Sequence, residues 1–185
     1  MREAFWISTG IVALAEIGDK TQLLALVLAA KYRKPVPIIL GILVATLLNH
    51  AVAGYFGAWL AATIGEQMLK WILGVSFIAM AGWMLIPDKL DDEEEKPARF
   101  GVFLTTLIAF FIVEIGDKTQ VATVFLAAKY AEVIAVVAGT TIGMMIANVP
   151  AVLLGEVAAK KLPMRVVHSV VAIVFLVLGL IILFY

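Results

Sequence analysis

The chain has 185 residues, of which 63% are hydrophobic and 15% charged, with zero net charge and no cysteine. Its mean hydropathy is +1.06. A soluble domain is roughly half apolar and about a quarter charged, so a single water-soluble core is excluded. Neutrality gives no footing for nucleic acid, and the lack of thiols excludes disulfides and thiolate metal sites. The expected class is an all-α, multi-pass membrane protein with almost no mass outside the bilayer.

Six apolar segments follow in order, at about 5–30, 36–62, 68–86, 100–128, 132–158 and 164–185. A spanning helix needs roughly 20 residues, so each is long enough to cross, some with tilt. The first run is interrupted by Glu16, Asp19 and Lys20, and Glu3 offsets Arg2. That is not a signal peptide, and the first helix is expected to be retained. Breaks fall at Lys31-Tyr32-Arg33-Lys34-Pro35, Gly65-Glu66-Gln67, Asp88 to Arg99, Lys129 to Glu132, and Lys160-Lys161-Leu162-Pro163. Proline and clustered charge end helices there. Pro150 lies inside the fifth segment and is expected to kink it, freeing carbonyls near Asn148.

The heptapeptide Glu16-Ile17-Gly18-Asp19-Lys20-Thr21-Gln22 returns as Glu114-Ile115-Gly116-Asp117-Lys118-Thr119-Gln120, 98 residues later. At the same offset Leu28-Ala29-Ala30-Lys31-Tyr32 matches Leu126-Ala127-Ala128-Lys129-Tyr130, and Gly41 matches Gly139. Segments 1–3 therefore correspond to 4–6. An odd number of crossings per unit inverts the second unit. The expected fold is six transmembrane helices as two inverted three-helix repeats, 1–86 and 100–185, joined by an acidic linker, 87–99. Lys31, Arg33, Lys34, Lys89, Lys96, Arg99, Lys160, Lys161 and Arg165 fall on one side of this threading, and Arg2, Lys70 and Lys129 on the other. The positive-inside rule then places the linker in the cytoplasm and both termini outside. Trp6, Trp59, Trp71 and Trp83 lie near segment ends, as an interfacial belt requires. Gly41, Ala45 and Asn49, and Ala135, Gly139, Gly143 and Ala147, recur at spacings of four, which lets helix backbones approach closely in lipid.

Charge near the middle of a bilayer is costly, and marks a site by default. On a continuous helix Glu16, Asp19 and Lys20 would share a face at i, i+3 and i+4, with Gln22 one step round. Glu114, Asp117, Lys118 and Gln120 would repeat it. Gly18 and Gly116 would admit a neighbouring helix or an ion, or let the helix loosen. Brought together by a pseudo-twofold, four carboxylates and two ammonium groups leave a charge of two negatives, which one divalent cation neutralises. Oxygen donors suit hard ions such as Ca²⁺, Mn²⁺ and Mg²⁺. With only His50 and His168 as imidazoles, a dedicated zinc or copper site is disfavoured. Protons compete for carboxylate oxygens, which is a sufficient basis for cation/H⁺ exchange. Lys20 and Lys118 would stabilise the empty site and keep binding from becoming too tight.

Asn49 and Asn148 are supporting candidates, one residue out of register, since His50 is the strict counterpart of Asn148. Each has plain interhelical hydrogen bonding as its alternative. His50 is a proton carrier or a satisfied core histidine, and His168 interfacial. The acidic run 91–95 reads as a solvated linker, with a weak cation collector as the alternative. Three other functions fit some of these residues. An intramembrane aspartyl protease needs two carboxylates sharing a proton, and would leave the duplicated glutamates without a role. A channel would conduct without moving protons. An exporter of small amines fits the residue types.

At the duplicated motif the sequence resembles the GDT-type cation/proton exchangers, a family with Golgi, chloroplast and bacterial forms whose hallmark is similar to Glu-x-Gly-Asp-Lys-Thr/Ser in each half. Both copies fit, and the resemblance covers essentially the whole chain. It implies export of Mn²⁺, with Ca²⁺ in some members, from the cytosol in exchange for H⁺. No enzyme activity or cofactor is implied. The partners are the metal ion as cargo and the bilayer, and a homo-oligomer is left open. By position it makes Glu16, Asp19, Glu114 and Asp117 ligands and proton acceptors, with Lys20, Thr21, Lys118 and Thr119 completing the motifs. Gln22 and Gln120 are added as ligands on geometry. The absence of a targeting extension suggests a bacterial form in the inner membrane.

Overall fold

The computed structural model describes residues 1–86, 101–154 and 164–184. The acidic linker, the Lys160–Pro163 break and the His168 side chain lie outside the described residues. Among those described, eight helices form and no strand: α1 (Arg2–Glu16), α2 (Lys20–Tyr32), α3 (Pro35–Thr63), α4 (Glu66–Trp83), α5 (Gly101–Glu114), α6 (Lys118–Tyr130), α7 (Val133–Leu154) and α8 (Met164–Phe184).

The first correction to the sequence reading is that the motif does not ride on a continuous helix. α1 stops at Glu16 and α2 starts at Lys20; α5 stops at Glu114 and α6 starts at Lys118. The cause is Gly18 at φ +80° and Gly116 at φ +75°, a left-handed backbone that glycine adopts without strain and that an α-helix cannot contain. At about 1.5 Å per residue, the 15 residues of α1 reach only about 22 Å, short of the roughly 30 Å hydrocarbon thickness. Each broken pair is thus two short helices joined at a three-residue interruption. α3 and α7 are long and apolar enough to cross a membrane by length and composition alone.

The 98-residue repeat extends to helix ends and turns. α2 and α6 both finish in a left-handed residue, Arg33 at φ 52° and Ala131 at φ 53°. These cap Ala29 O and Ala127 O at 3.0 and 2.9 Å. Contacts repeat too, but across the halves. Gly41 on α3 abuts the Phe103 carbonyl and Thr106 on α5, whereas Gly139 on α7 abuts the Phe5 carbonyl and Ser8 on α1. α1 thus lies along α7, and α5 along α3; α4 lies along α8, and α3 also touches α6 and α7. The halves are interleaved, each contributing its first helix to the other. The Met1 amino group pairs with Glu132, which brings the chain start to the α6–α7 turn.

Large apolar side chains face outward as well as inward, and several ionisable and amide groups are enclosed. Trp6, Leu48, Val52, Tyr55, Trp59, Trp71 and Ile173 are exposed, while Glu16, Asp19, Asn49, His50, Glu114, Asp117 and Asn148 are buried. Trp6, Trp59 and Trp71 stand near helix ends, where an amphipathic ring suits a headgroup boundary. Trp83 is engaged differently, with the Lys118 ammonium 6.0 Å from its ring centroid.

Close backbone approach gives a direct test of this packing. A Cβ at Gly57 would strike the Val124 carbonyl on α6, and one at Gly139 the Phe5 carbonyl on α1, whereas one at Gly82 meets nothing within 4 Å. Gly57→Ala and Gly139→Ala should each destabilise by about 1–3 kcal/mol through overpacking. Gly82→Ala should stabilise slightly, by up to about 1 kcal/mol of helix propensity. Thermal unfolding of the purified variants in detergent measures all three.

Candidate metal-binding site

Each helix break is built from the motif itself. A break strands the amide that follows it, and the seventh motif residue takes it up. Gly18 N donates to Gln22 Oε1 at 2.8 Å, and Gly116 N to Gln120 Oε1 at 2.7 Å. The same side chains then tie each break to a long helix of the other half. Gln22 Nε2 donates to Ala147 O on α7 at 3.0 Å, one turn before Pro150, and Gln120 Nε2 to Asn49 Oδ1 on α3 at 3.3 Å. Residues 49 and 147 are equivalent in the repeat. Asn49 Nδ2 also donates to Phe111 O at 3.1 Å, one of the carbonyls that α5 leaves without a helical partner at its C-terminus. In this geometry both amide ends of Gln22 and Gln120 make hydrogen bonds that hold the breaks.

The breaks also sort the acids. Glu16 and Glu114 are the last residues of α1 and α5, while Asp19 and Asp117 are the N-cap residues of α2 and α6. Aspartates there face the positive ends of helix dipoles. Asp117 accepts from Thr119 N at 3.4 Å and from Thr119 Oγ1 at 3.2 Å.

Glu16, Asp19 and Asp117 each place one carboxylate oxygen within 4.8 Å of the others. Two ligands on one hard cation, at about 2.1–2.6 Å each, stand up to about 4–5 Å apart, so the three can share an ion with little movement. The trio mixes the two halves. Glu16 is 0% exposed and Asp19 4%, and the charges of Asp19, Glu114 and Asp117 all act on Glu16. Neither Glu16 oxygen has a well-formed hydrogen bond from a described residue. The Asn148 amide offers this carboxylate a weak hydrogen bond, its Nδ2 being shared with Met144 O at 3.1 Å and Met144 Sδ at 3.0 Å. Thr21, also fully buried, leaves Oγ1 without a hydrogen-bond partner among the described residues.

The second half is better satisfied. Glu114 Oε1 accepts from Thr119 Oγ1 at 2.9 Å and lies 3.1 Å from His50 Nε2, and His50 Nδ1 lies 2.9 Å from Thr140 Oγ1. Glu114 Oε2 is buried without a partner among the described residues. The lysines also differ. Lys20 Nζ crosses to Asp117 Oδ1 at 3.2 Å, while Lys118, 3% exposed, donates to Ile86 O at 2.7 Å beyond the end of α4.

The structure thus brings Glu16, Asp19, Asp117 and Lys20 together, with Glu114 and Thr119 alongside. It places Asn148 by Glu16 and Asn49 by Gln120. The register puzzle resolves here: Asn148 is the counterpart of His50, both facing a motif glutamate, and is not the counterpart of Asn49. Thr140 was not singled out from the sequence, since a threonine in an apolar run carries no signal until its partner is known.

Comparison with known proteins agrees with the motif. The family model described as divalent cation/proton antiporter GDT1 matches residues 4–92 and 102–185. A Vibrio cholerae protein named "Putative manganese exporter" is 55% identical over 94% of this chain and 87% of its own length. A GDT1-like protein of Synechocystis is 26% identical, covering 95% of this chain and 94% of its own. The GDT1-like protein 3 of Oryza sativa subsp. indica is 25% identical over 94% of this chain and 71% of its own. No solved structure matches the chain. Transport is this family's work and catalysis is not, which sets the protease reading aside. The chain is a membrane protein and belongs to the GDT1 family of divalent cation/proton antiporters.

Proposed function

We propose that this protein exports Mn²⁺, with Ca²⁺ as the alternative cargo, from the cytosol across the inner membrane in exchange for protons, by alternating access around the two motif breaks. The observation that carries the reading is Glu16, a fully buried carboxylate offered only a weak, shared hydrogen bond from Asn148 among the described residues, set beside Asp19 and Asp117. An uncompensated buried charge costs several kcal/mol. A divalent cation bound by all three groups removes that cost, and protons are the other species able to neutralise the same oxygens. Export of manganese in particular draws on the name of the Vibrio relative.

In this mechanism Glu16, Asp19 and Asp117 hold the ion, and Glu114 is the fourth acid within reach. Lys20 acts as a tethered cation that occupies Asp117 when metal is absent and must leave when metal enters. The ends of α1 and α5 add partial negative charge from their carbonyls, and Gln22 and Gln120 keep the interrupted backbone open toward the ion. Interrupted helices meeting near the midplane are the usual build of inverted-repeat transporters. We assign six crossings in two inverted units, both termini outside and the linker in the cytoplasm. The pairing of Met1 with Glu132 supports this threading, which puts both on the outer side.

Purified protein in liposomes tests the reading. Mn²⁺ uptake should be driven by a pH gradient and collapse when the gradient is dissipated; a channel would conduct regardless. Glu16→Gln and Asp117→Asn should each reduce uptake to the level of empty liposomes while elution profile and helical content stay unchanged. Full flux in both would remove the carboxylates from the site. Lys20→Ala should bind Mn²⁺ more tightly and turn over more slowly, because the competing ammonium is gone. Calorimetric affinity and kcat report the two effects separately, and faster turnover would contradict the counter-charge role.

A further inference from the structure

The two halves present different residues to equivalent acids. On α3, His50 faces Glu114; at the matching position on α7, Asn148 faces Glu16. The imidazole is fully buried and held at both ends, with Nδ1 on Thr140 Oγ1 and Nε2 on Glu114 Oε1. Thr140 is itself fixed, because its hydroxyl lies 3.2 Å from Val137 O on the same helix. Thr119 adds a second bond to the same Glu114 oxygen. Glu114 is thus tethered from two sides, and it is not one of the three acids that converge within 4.8 Å. Glu16 has only the Asn148 amide, a weak contact that the same Nδ2 shares with Met144 O and Sδ, and Glu16 does converge.

We propose that His50, anchored on Thr140, is a positioning residue that withholds Glu114 from the metal cluster, so that the ion is gripped by three carboxylates and stays releasable. This rests on the transport reading above. Hard cations take six or more oxygens, so a freed Glu114, with Oε2 already buried and without a partner among the described residues, would join the ligands and tighten the site. The histidine–asparagine difference makes one half-site permanently unlike the other, although the motifs themselves are identical. It also gives the His50–Thr140 pair a role that packing alone does not.

The test uses the full-length protein, with Mn²⁺ affinity by calorimetry in detergent and KM and kcat in liposomes. His50→Asn, which makes the halves alike, should tighten Mn²⁺ binding and lower KM by about tenfold, the scale on which groups behind a ligand move metal affinity, while kcat falls. Thr140→Val should shift both in the same direction by less, and it carries the test if His50→Asn does not fold. In a Glu114→Gln background, His50→Asn should add nothing, because its target is gone. A purely structural histidine would give additive losses instead. Unchanged or weaker Mn²⁺ binding in the single variants, or additivity in the double, would overturn the proposal. If the wild type binds Mn²⁺ normally in that case, this inference alone is lost; if the wild type binds none, the transport reading falls with it.

Discussion

Everything in this molecule is arranged around carboxylates that lipid-facing helices enclose. A buried carboxylate with few donors is among the more costly things a fold can contain, and here Glu16 has only the shared Asn148 amide among the described residues. Asp19 and Asp117 stand close by, and Glu114 adds its charge. Such a cluster is tolerable only when positive charge or bound protons neutralise it. Lys20 supplies one part, through Asp117. A visiting cation is the natural source of the rest, which is why a costly arrangement and a transport function belong together.

The breaks are what make the cluster possible. A continuous helix would place Asp19 less than one turn from Glu16 with every backbone amide engaged within the helix. Breaking at Gly18 turns Asp19 into an N-cap and puts Glu16 at the opposite kind of helix end, so the two acids meet across the gap. Gln22 and Gln120 then stabilise the gaps and reach the other half in the same step. Interleaving does the remainder. Because α1 lies on α7 and α5 on α3, each motif is lined by residues from the opposite half, and the candidate site draws its acids from both.

Much of this was legible in the residues. The apolar composition pointed to the helical class and the duplicated heptapeptide to the family, while the matching left-handed caps at Arg33 and Ala131 were not anticipated. The break itself was not legible as a break. Gly18 and Gly116 signal a loosened helix or a close approach equally well, and only positive φ decides between them. The work of Gln22 and Gln120 was hidden for the same reason, since no orphan amide exists to be capped in a continuous helix. The inequality of the halves lay outside the motif, in His50 against Asn148, where the repeat is chemically inexact. A repeat draws the eye to what is the same, and the difference became meaningful once each side chain was seen against its glutamate.

The most direct measurement is the position of the ion itself, by anomalous scattering from Mn²⁺ in crystals of the metal-loaded protein. The expected result is one strong peak between the α1–α2 and α5–α6 breaks, within bonding distance of Glu16, Asp19 and Asp117, with Lys20 withdrawn. A peak bound by one half alone, or none near these three acids, would contradict a single ion shared between the halves.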